Sequence, residues 1–294
     1  MAEVATVTAA RVRRRRGRRR GRRSSRSANA VAVVLILLSG FPVYWMFTTS
    51  FRSNGEIRSR DPQFFPFGGT LDNYRSVFDT DGFGTAFANS LKVTGLTVLL
   101  ALCTAFLAAV AVSRFRFRGR VGFLVMILVV QMVPAEALMI SLVKVLDGWD
   151  LRNSIVGLTI AYLAFVLPFT IWTLRGFVAG VPRELEEAAM VDGSSRVRAF
   201  FTVTLPLVAP GLVATGIFAF IQAWNEYTFA LVIMDRPEAE TLPLWLQSFN
   251  FGARGTDWGG VMAGSTLITL PVIVFFLFVH RRIASGLTAG AVKG

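Results

Sequence analysis

A single cysteine, Cys103, and a single histidine, His280, occur among 294 residues. One thiol cannot close an internal disulfide, and one Cys with one His cannot assemble a tetrahedral zinc site. A disulfide scaffold and a protein-only soft-metal centre are thereby excluded. Lysine is almost as scarce: Lys92, Lys144 and Lys293 are the only three, and none follows a glycine. The G-x-x-x-x-G-K-[ST] loop that cradles nucleotide phosphates is therefore missing. No serine, cysteine or carboxylate constellation points to catalysis, and no cofactor is expected in this chain. Charge is thin too, at 17% of residues against about 25% in a soluble domain.

What fills the chain is apolar. Hydrophobic residues make up 53% and mean hydropathy is +0.55, concentrated in long runs. Six runs of roughly 20 residues are long enough to cross a hydrocarbon core of about 30 Å. They cover about 29–49, 91–112, 121–143, 154–174, 211–234 and 261–279. The predicted fold is all-α, a polytopic protein of the cell (cytoplasmic) membrane with about six transmembrane helices. Asn89-Ser90 and Asn153-Ser154 read as helix starts. Pro42, Pro134, Pro168 and Pro271 fall inside spans, where neighbouring helices can satisfy the freed carbonyls.

The net charge of +13 is local, because residues 1–27 hold eleven arginines against one acid, Glu3. That tail reads as a disordered anchor for topology that touches anionic lipid headgroups. A nucleic-acid arm and a twin-arginine export signal are the alternatives. The apolar run that follows continues through Phe41-Pro42-Val43-Tyr44-Trp45 with no A-x-A-like cleavage site, which favours a retained first span. Connections alternate sides, and one side collects 22 Lys and Arg against seven on the other. The positive-inside rule then places both termini in the cytoplasm. The expected organisation is a tail over 1–27 and a transmembrane domain over 28–294, with a cytoplasmic loop at 175–210 and a cytoplasmic end at 280–294. The outer loop 51–85 carries Phe64, Phe65, Phe67 and Tyr74. It reads either as interfacial or as a contact surface for an extracytoplasmic partner.

The loop 175–210 has internal structure. Pro182 suits a first helical turn. Glu184, Glu186 and Glu187 suit the positive end of a helix dipole. Ala188 and Ala189 are strong helix formers. Asp192-Gly193 supplies a stop, with glycine in the left-handed cap. A second helix is predicted from Ser194 or Ser195, with Val197, Phe200 and Phe201 on its apolar face, ending before Pro206. A helix lying on lipid would instead be basic opposite a bulky apolar face. The acidic, alanine-bearing segment 183–192 suits a protein socket better.

Glu187-Ala188-Ala189, three residues, Gly193, nine residues and Val203-Thr204-Leu205-Pro206 resemble the EAA loop of ABC importer permeases. That pattern is EAA, three residues, Gly, nine residues, Ile-x-Leu-Pro, so Val203 is the one departure. The resemblance implies a coupling helix seated in a cleft of an ATPase subunit, with Glu187, Ala188, Ala189, Asp192, Gly193, Leu205 and Pro206 as the coupling residues. Trp224-Asn225-Glu226-Tyr227 resembles a stretch of carbohydrate-type permeases. The end of the chain, with Gly286, Thr288, Gly290 and Lys293, resembles the smaller permease of maltose-type systems and implies contact with the ATPase. The implied partners are an ABC ATPase dimer that binds the ATP, a second and distinct permease subunit, an extracytoplasmic solute-binding protein and membrane lipid, with no nucleic acid. The implied function is ATP-driven import of a sugar or oligosaccharide by alternating access. Another cargo (polyamine, phosphate or peptide) is the nearer alternative, and an ion-coupled secondary transporter the farther one, since no repeat between halves is evident.

Carboxylates inside spans are costly and usually face a cavity or a partner. Glu136 and Glu226 fall at similar depths in the outer half of their spans, accompanied by Gln131, Gln222 and Asn225. These five are candidates either for the translocation path or for interhelical hydrogen bonding.

Overall fold

The computed structural model describes residues 28–61, 64, 65, 68–251 and 255–291, with side chains through Val279. The arginine tail and Lys293 lie outside them. Helix dominates the described residues, and the one β-bridge joins Asn250 to Thr256. The first helix, α1 (Ala28–Thr49), leads to α2 (Asn54–Ile57) and α3 (Asp72–Asp79). The long α4 (Phe83–Arg114) is followed by α5 (Arg120–Met132), α6 (Met139–Gly148) and α7 (Ile155–Gly180). Next come α8 (Arg183–Val191), α9 (Arg196–Ala199) and α10 (Leu205–Trp224), the last two joined by a π-helical turn over Phe200–Thr204. The short α11 (Thr228–Ile233) and α12 (Leu242–Trp245) precede α13 (Trp258–Ala291).

Among the described residues, five helical stretches are long and apolar enough to span: α1, α4, α7, α9 to α10 as one run, and the first part of α13. The remaining predicted span, 121–143, is bent by 91° between α5 and α6. Pro134 is the cause, since it cannot donate to the ladder and disfavours helical geometry at Val133, which is extended at ψ 124°.

The centre is a packing of α4, α7 and α10. On α4 the buried residues Thr97, Ala101, Ala105 and Ala109 recur every fourth position, and on α7 so do Leu158, Tyr162, Val166, Thr170, Leu174 and Val178. A stripe of small residues against a stripe of larger ones lets the two backbones approach closely. Gly211 of α10 lies against the Phe177 ring, in space that a side chain would overlap. By contrast, α1 presents Val31, Ile36, Leu38 and Phe41 outward and buries none of its apolar middle against the described residues.

Of three expected boundaries, two differ and one agrees. Asn89-Ser90 does not start a helix, because α4 begins at Phe83 after Gly82, which takes a left-handed φ of 86°. Both side chains instead reach another segment: Asn89 Nδ2 donates to Glu238 O and Glu240 O, and Ser90 Oγ accepts from Leu242 N–H at 2.8 Å. Asn153-Ser154 does start α7, with Ser154 Oγ accepting from Gly157 N–H at 3.0 Å. The helix after Ser195 does not end before Pro206. The π-turn carries it into α10, its wider hydrogen-bond spacing accommodating a proline without a break.

Candidate coupling surface and cavity

Helix α8 stands out from the bundle and buries none of its residues fully. Its half-buried positions are Glu186, Ala189 and Met190, on one face by helical spacing. The opposite side exposes Glu184, Glu187, Ala188 and Val191, the last at 87%. The two alanines of the motif therefore face different ways: Ala188 outward, Ala189 toward its own chain. Asp192 ends the helix and Gly193 takes a φ of 88°. Ser194 N–H donates to Ala189 O at 3.0 Å and Gly193 N–H to Met190 O at 3.1 Å, which together form a Schellman stop. Nothing crowds Gly193, so backbone conformation alone demands glycine there. Ser195 Oγ then caps α9 by accepting from Arg198 N–H. Beyond it Val197 and Phe201 stay exposed, while Phe200 rests on Phe106 of α4 at 5.6 Å between ring centres. Leu205 is half-buried and Pro206 exposed.

The inward face of α8 is held by charge. Glu186 Oε1 pairs with Arg114 Nη2 at 2.9 Å, the two side chains being 18% and 11% exposed. The same oxygen accepts from Thr204 Oγ1 in the π-turn, and Thr204 is completely buried. Arg114 Nη1 donates to Val181 O at 3.0 Å. Arg183, the first residue of α8, donates to Ser113 O and Arg114 O at 3.1 and 2.9 Å, satisfying carbonyls that the end of α4 leaves open. Neither Arg114 nor Thr204 was singled out from the sequence, and Glu186 was read only as a dipole-favoured acid. The available signal was its spacing of three and four from Ala189 and Met190, the other positions of the inward face.

At the bend between α5 and α6 lies a cavity of ≈ 460 Å³, where Gln131 and Glu136 meet the rings of Phe165, Phe169, Phe218 and Phe229. An apolar pocket with a few convergent polar groups is the general form of a small-molecule site. Gln222 and Asn225 are exposed and do not line it; Asn225 Nδ2 returns to Ile221 O at 2.9 Å. Glu226 occupies the break after α10. Its carboxylate accepts from Phe229 N–H at 2.7 Å and Ala230 N–H at 3.1 Å, capping α11 and so setting the cavity ring of Phe229. Of the five intraspan candidates, the structure brings Gln131 and Glu136 together at the cavity.

The segments 50–81 and 235–260 knit together at the end of the bundle away from α8. Asn73 Nδ2 donates to Ser50 O and Arg52 O, Asn54 Nδ2 to Asp257 Oδ1, and Trp245 Nε1 to Asp81 O. Asp235 receives Asn153 Nδ2 and an ion pair from Arg152 at 3.0 Å. The Asn153 bond, aided by the charge of Arg152, holds the Asp235 carboxyl below its ordinary range. Burial, with Glu238 nearby, pushes Glu240 the other way. At the far end of the chain, Gly286, Thr288 and Gly290 continue α13 as helix.

A family model described as binding-protein-dependent transport system inner membrane component matches residues 101–288. The chain is 47% identical over 266 residues to the diacetylchitobiose uptake system permease protein of Streptomyces coelicolor, covering 90% of this chain and 96% of that protein. It is 36% identical to the trehalose transport system permease protein of Mycobacterium tuberculosis, covering 90% and 97%. Its fold matches a chain in the crystal structure of a bacterial ABC transporter that imports the polysaccharide alginate. That match has a TM-score of 0.73 at 23% identity and covers 86% of this chain and 94% of the other.

Proposed function

This chain belongs to the binding-protein-dependent transport system inner membrane component family, and on that premise we propose how it works and what it carries. It is a multi-pass inner membrane permease of an ABC importer. Its cargo is a disaccharide or short oligosaccharide, as in relatives named for diacetylchitobiose and trehalose. Hydrolysis occurs in a separate ATPase dimer, since no phosphate loop is encoded here. A distinct second permease and a solute-binding protein complete the assembly. Helix α8 is the element that meets the ATPase, and the observation that carries this is its two-faced placement. One face is tied to α4 and the π-turn, and the other offers Glu187, Ala188 and Val191 to solvent. The cavity beside Gln131 and Glu136 lies on the translocation path, with aromatic faces for sugar rings and an amide and a carboxylate for hydroxyls.

The test is uptake in proteoliposomes holding the permease pair and ATPase, with the binding protein added. Labelled diacetylchitobiose and trehalose are compared with putrescine, phosphate and a tripeptide. ATP-dependent accumulation of a sugar is the expected result. Uptake of putrescine, phosphate or peptide alone would discard the sugar assignment.

The orientation proposed is that both termini and α8 lie in the cytoplasm, with 50–81 and 235–260 outside. Single cysteines at Ser59 and Arg196 in a Cys103→Ala background are read with an impermeant thiol reagent on intact cells. Position 59 should label and position 196 should not. The reverse pattern would invert the orientation.

A further inference from the structure

We propose that Glu186 is a positioning residue whose carboxylate makes α8, the end of α4 and the π-turn before α10 move as one body. A displacement imposed on α8 then reaches two of the three core helices at once. The inference rests on the coupling role proposed for α8.

A single oxygen, Oε1 of Glu186, joins the three elements. It belongs to α8, pairs with Arg114 at the last residue of α4, and accepts from Thr204 at the end of the π-turn. The chain itself connects these parts loosely. Between α8 and the π-turn it passes through Gly193 at positive φ and the single turn of α9. Between α4 and α8 it makes the whole excursion through α5, α6 and α7. A second tie from α8 back to α4 is the Arg183 fork on the carbonyls of Ser113 and Arg114, and Arg114 on Val181 O holds the chain just before α8. The Glu186–Arg114 contact is an ion pair without hydrogen-bond alignment, and charges largely shielded from water attract each other more strongly than charges in solvent. It also lies on the face opposite Ala188, so a partner seated on the outer face leaves it intact.

A merely structural carboxylate would lower assembly, hydrolysis and uptake together. A transmitting one changes their ratio. The experiment uses the full complex in proteoliposomes and measures labelled diacetylchitobiose or trehalose accumulated per ATP hydrolysed, alongside capture of the ATPase. Thr204→Val removes one bond without leaving a charge unpaired, and Glu186→Gln keeps the shape while removing the ion pair. Both are expected to keep wild-type capture and to lower sugar moved per ATP by about fivefold or more, within the usual range of coupling between sites. Glu186→Gln combined with Arg114→Gln is expected to fall no further than the worse single variant, as for residues acting in one contact. An unchanged ratio in Thr204→Val and Glu186→Gln overturns the proposal, and so does an additive loss in the double variant. If Glu186→Gln does not assemble, Thr204→Val alone decides. A wild-type complex that hydrolyses ATP yet moves neither sugar strikes the proposed function instead. A coupled wild type with unchanged variants strikes only the role of Glu186.

Discussion

Gly193→Asp and Ala188→Trp are each expected to abolish uptake while leaving membrane insertion intact, and for different reasons. At Gly193 the backbone has a φ of 88°, with the Ser194 and Gly193 amides bonded back into α8. A side chain there costs on the order of 1–2 kcal/mol in the left-handed region. The helix relieves that strain by unwinding its last turn, which moves the outer face out of register with the ATPase. Ala188 is exposed in the free chain, so tryptophan there is harmless until a partner must approach. Overpacking at such a contact costs about 1–3 kcal/mol, and 1.4 kcal/mol is a tenfold loss of affinity. ATPase capture should therefore fall by about tenfold or more while yield and thermal stability of the permease stay near wild type. Ala189→Trp provides the contrast, because Ala189 is half-buried against its own chain. It should lower the stability of the permease itself. Pull-down of the ATPase on solubilised permease and thermal unfolding of the permease alone separate the three. Wild-type capture and uptake in both Gly193→Asp and Ala188→Trp would remove α8 from the interface.

Glu226→Ala is expected to lower the yield of folded permease, whereas Glu226→Gln should largely preserve it. The carboxylate takes two amide protons, from Phe229 and Ala230, both residues buried. Leaving buried donors unpaired costs about 1–3 kcal/mol. Glutamine keeps one acceptor oxygen and can hold one of the two. Because Phe229 lines the cavity beside Glu136, the partial cap should also alter uptake without altering ATPase capture. Fluorescence-detected size exclusion during a heating series reports the first effect, and proteoliposome uptake the second. Normal stability in Glu226→Ala would mean that the capping bonds contribute nothing.

The legible part of the fold is what depends on neighbours along the chain. The apolar runs follow from composition, the start of α7 from Ser154, and the stop of α8 from Asp192-Gly193, because each is decided close along the chain. The EAA-type spacing was legible for the same reason. Asn89 and Ser90 misled because their partners lie about 150 residues away, and a capping side chain looks identical whichever donors or acceptors it finds. Pro206 misled because a π-turn can absorb it, and nothing in the residue types announces that turn. Glu186 and Glu187 are adjacent acids distinguished only by which face of α8 meets α4. Glu226 could be placed in a span by hydropathy. Its use as a cap depends on the helix breaking at Trp224, which hydropathy does not register.

The isolation of α1 bears on the order in which the protein is made. Chains emerge N-terminus first, and a helix whose apolar middle packs against none of the described residues can partition into lipid as soon as it leaves the ribosome. Once settled, it biases which way the later segments thread. The centre of the molecule has no such independence. Its three helices are separated by the bent pair and by α8, so α4 waits in the bilayer until α7 has been translated, and the pair then waits for α10. Until α7 arrives the every-fourth-residue stripe of α4 lacks its partner, and a pause in translation before Ile155 would prolong that exposure.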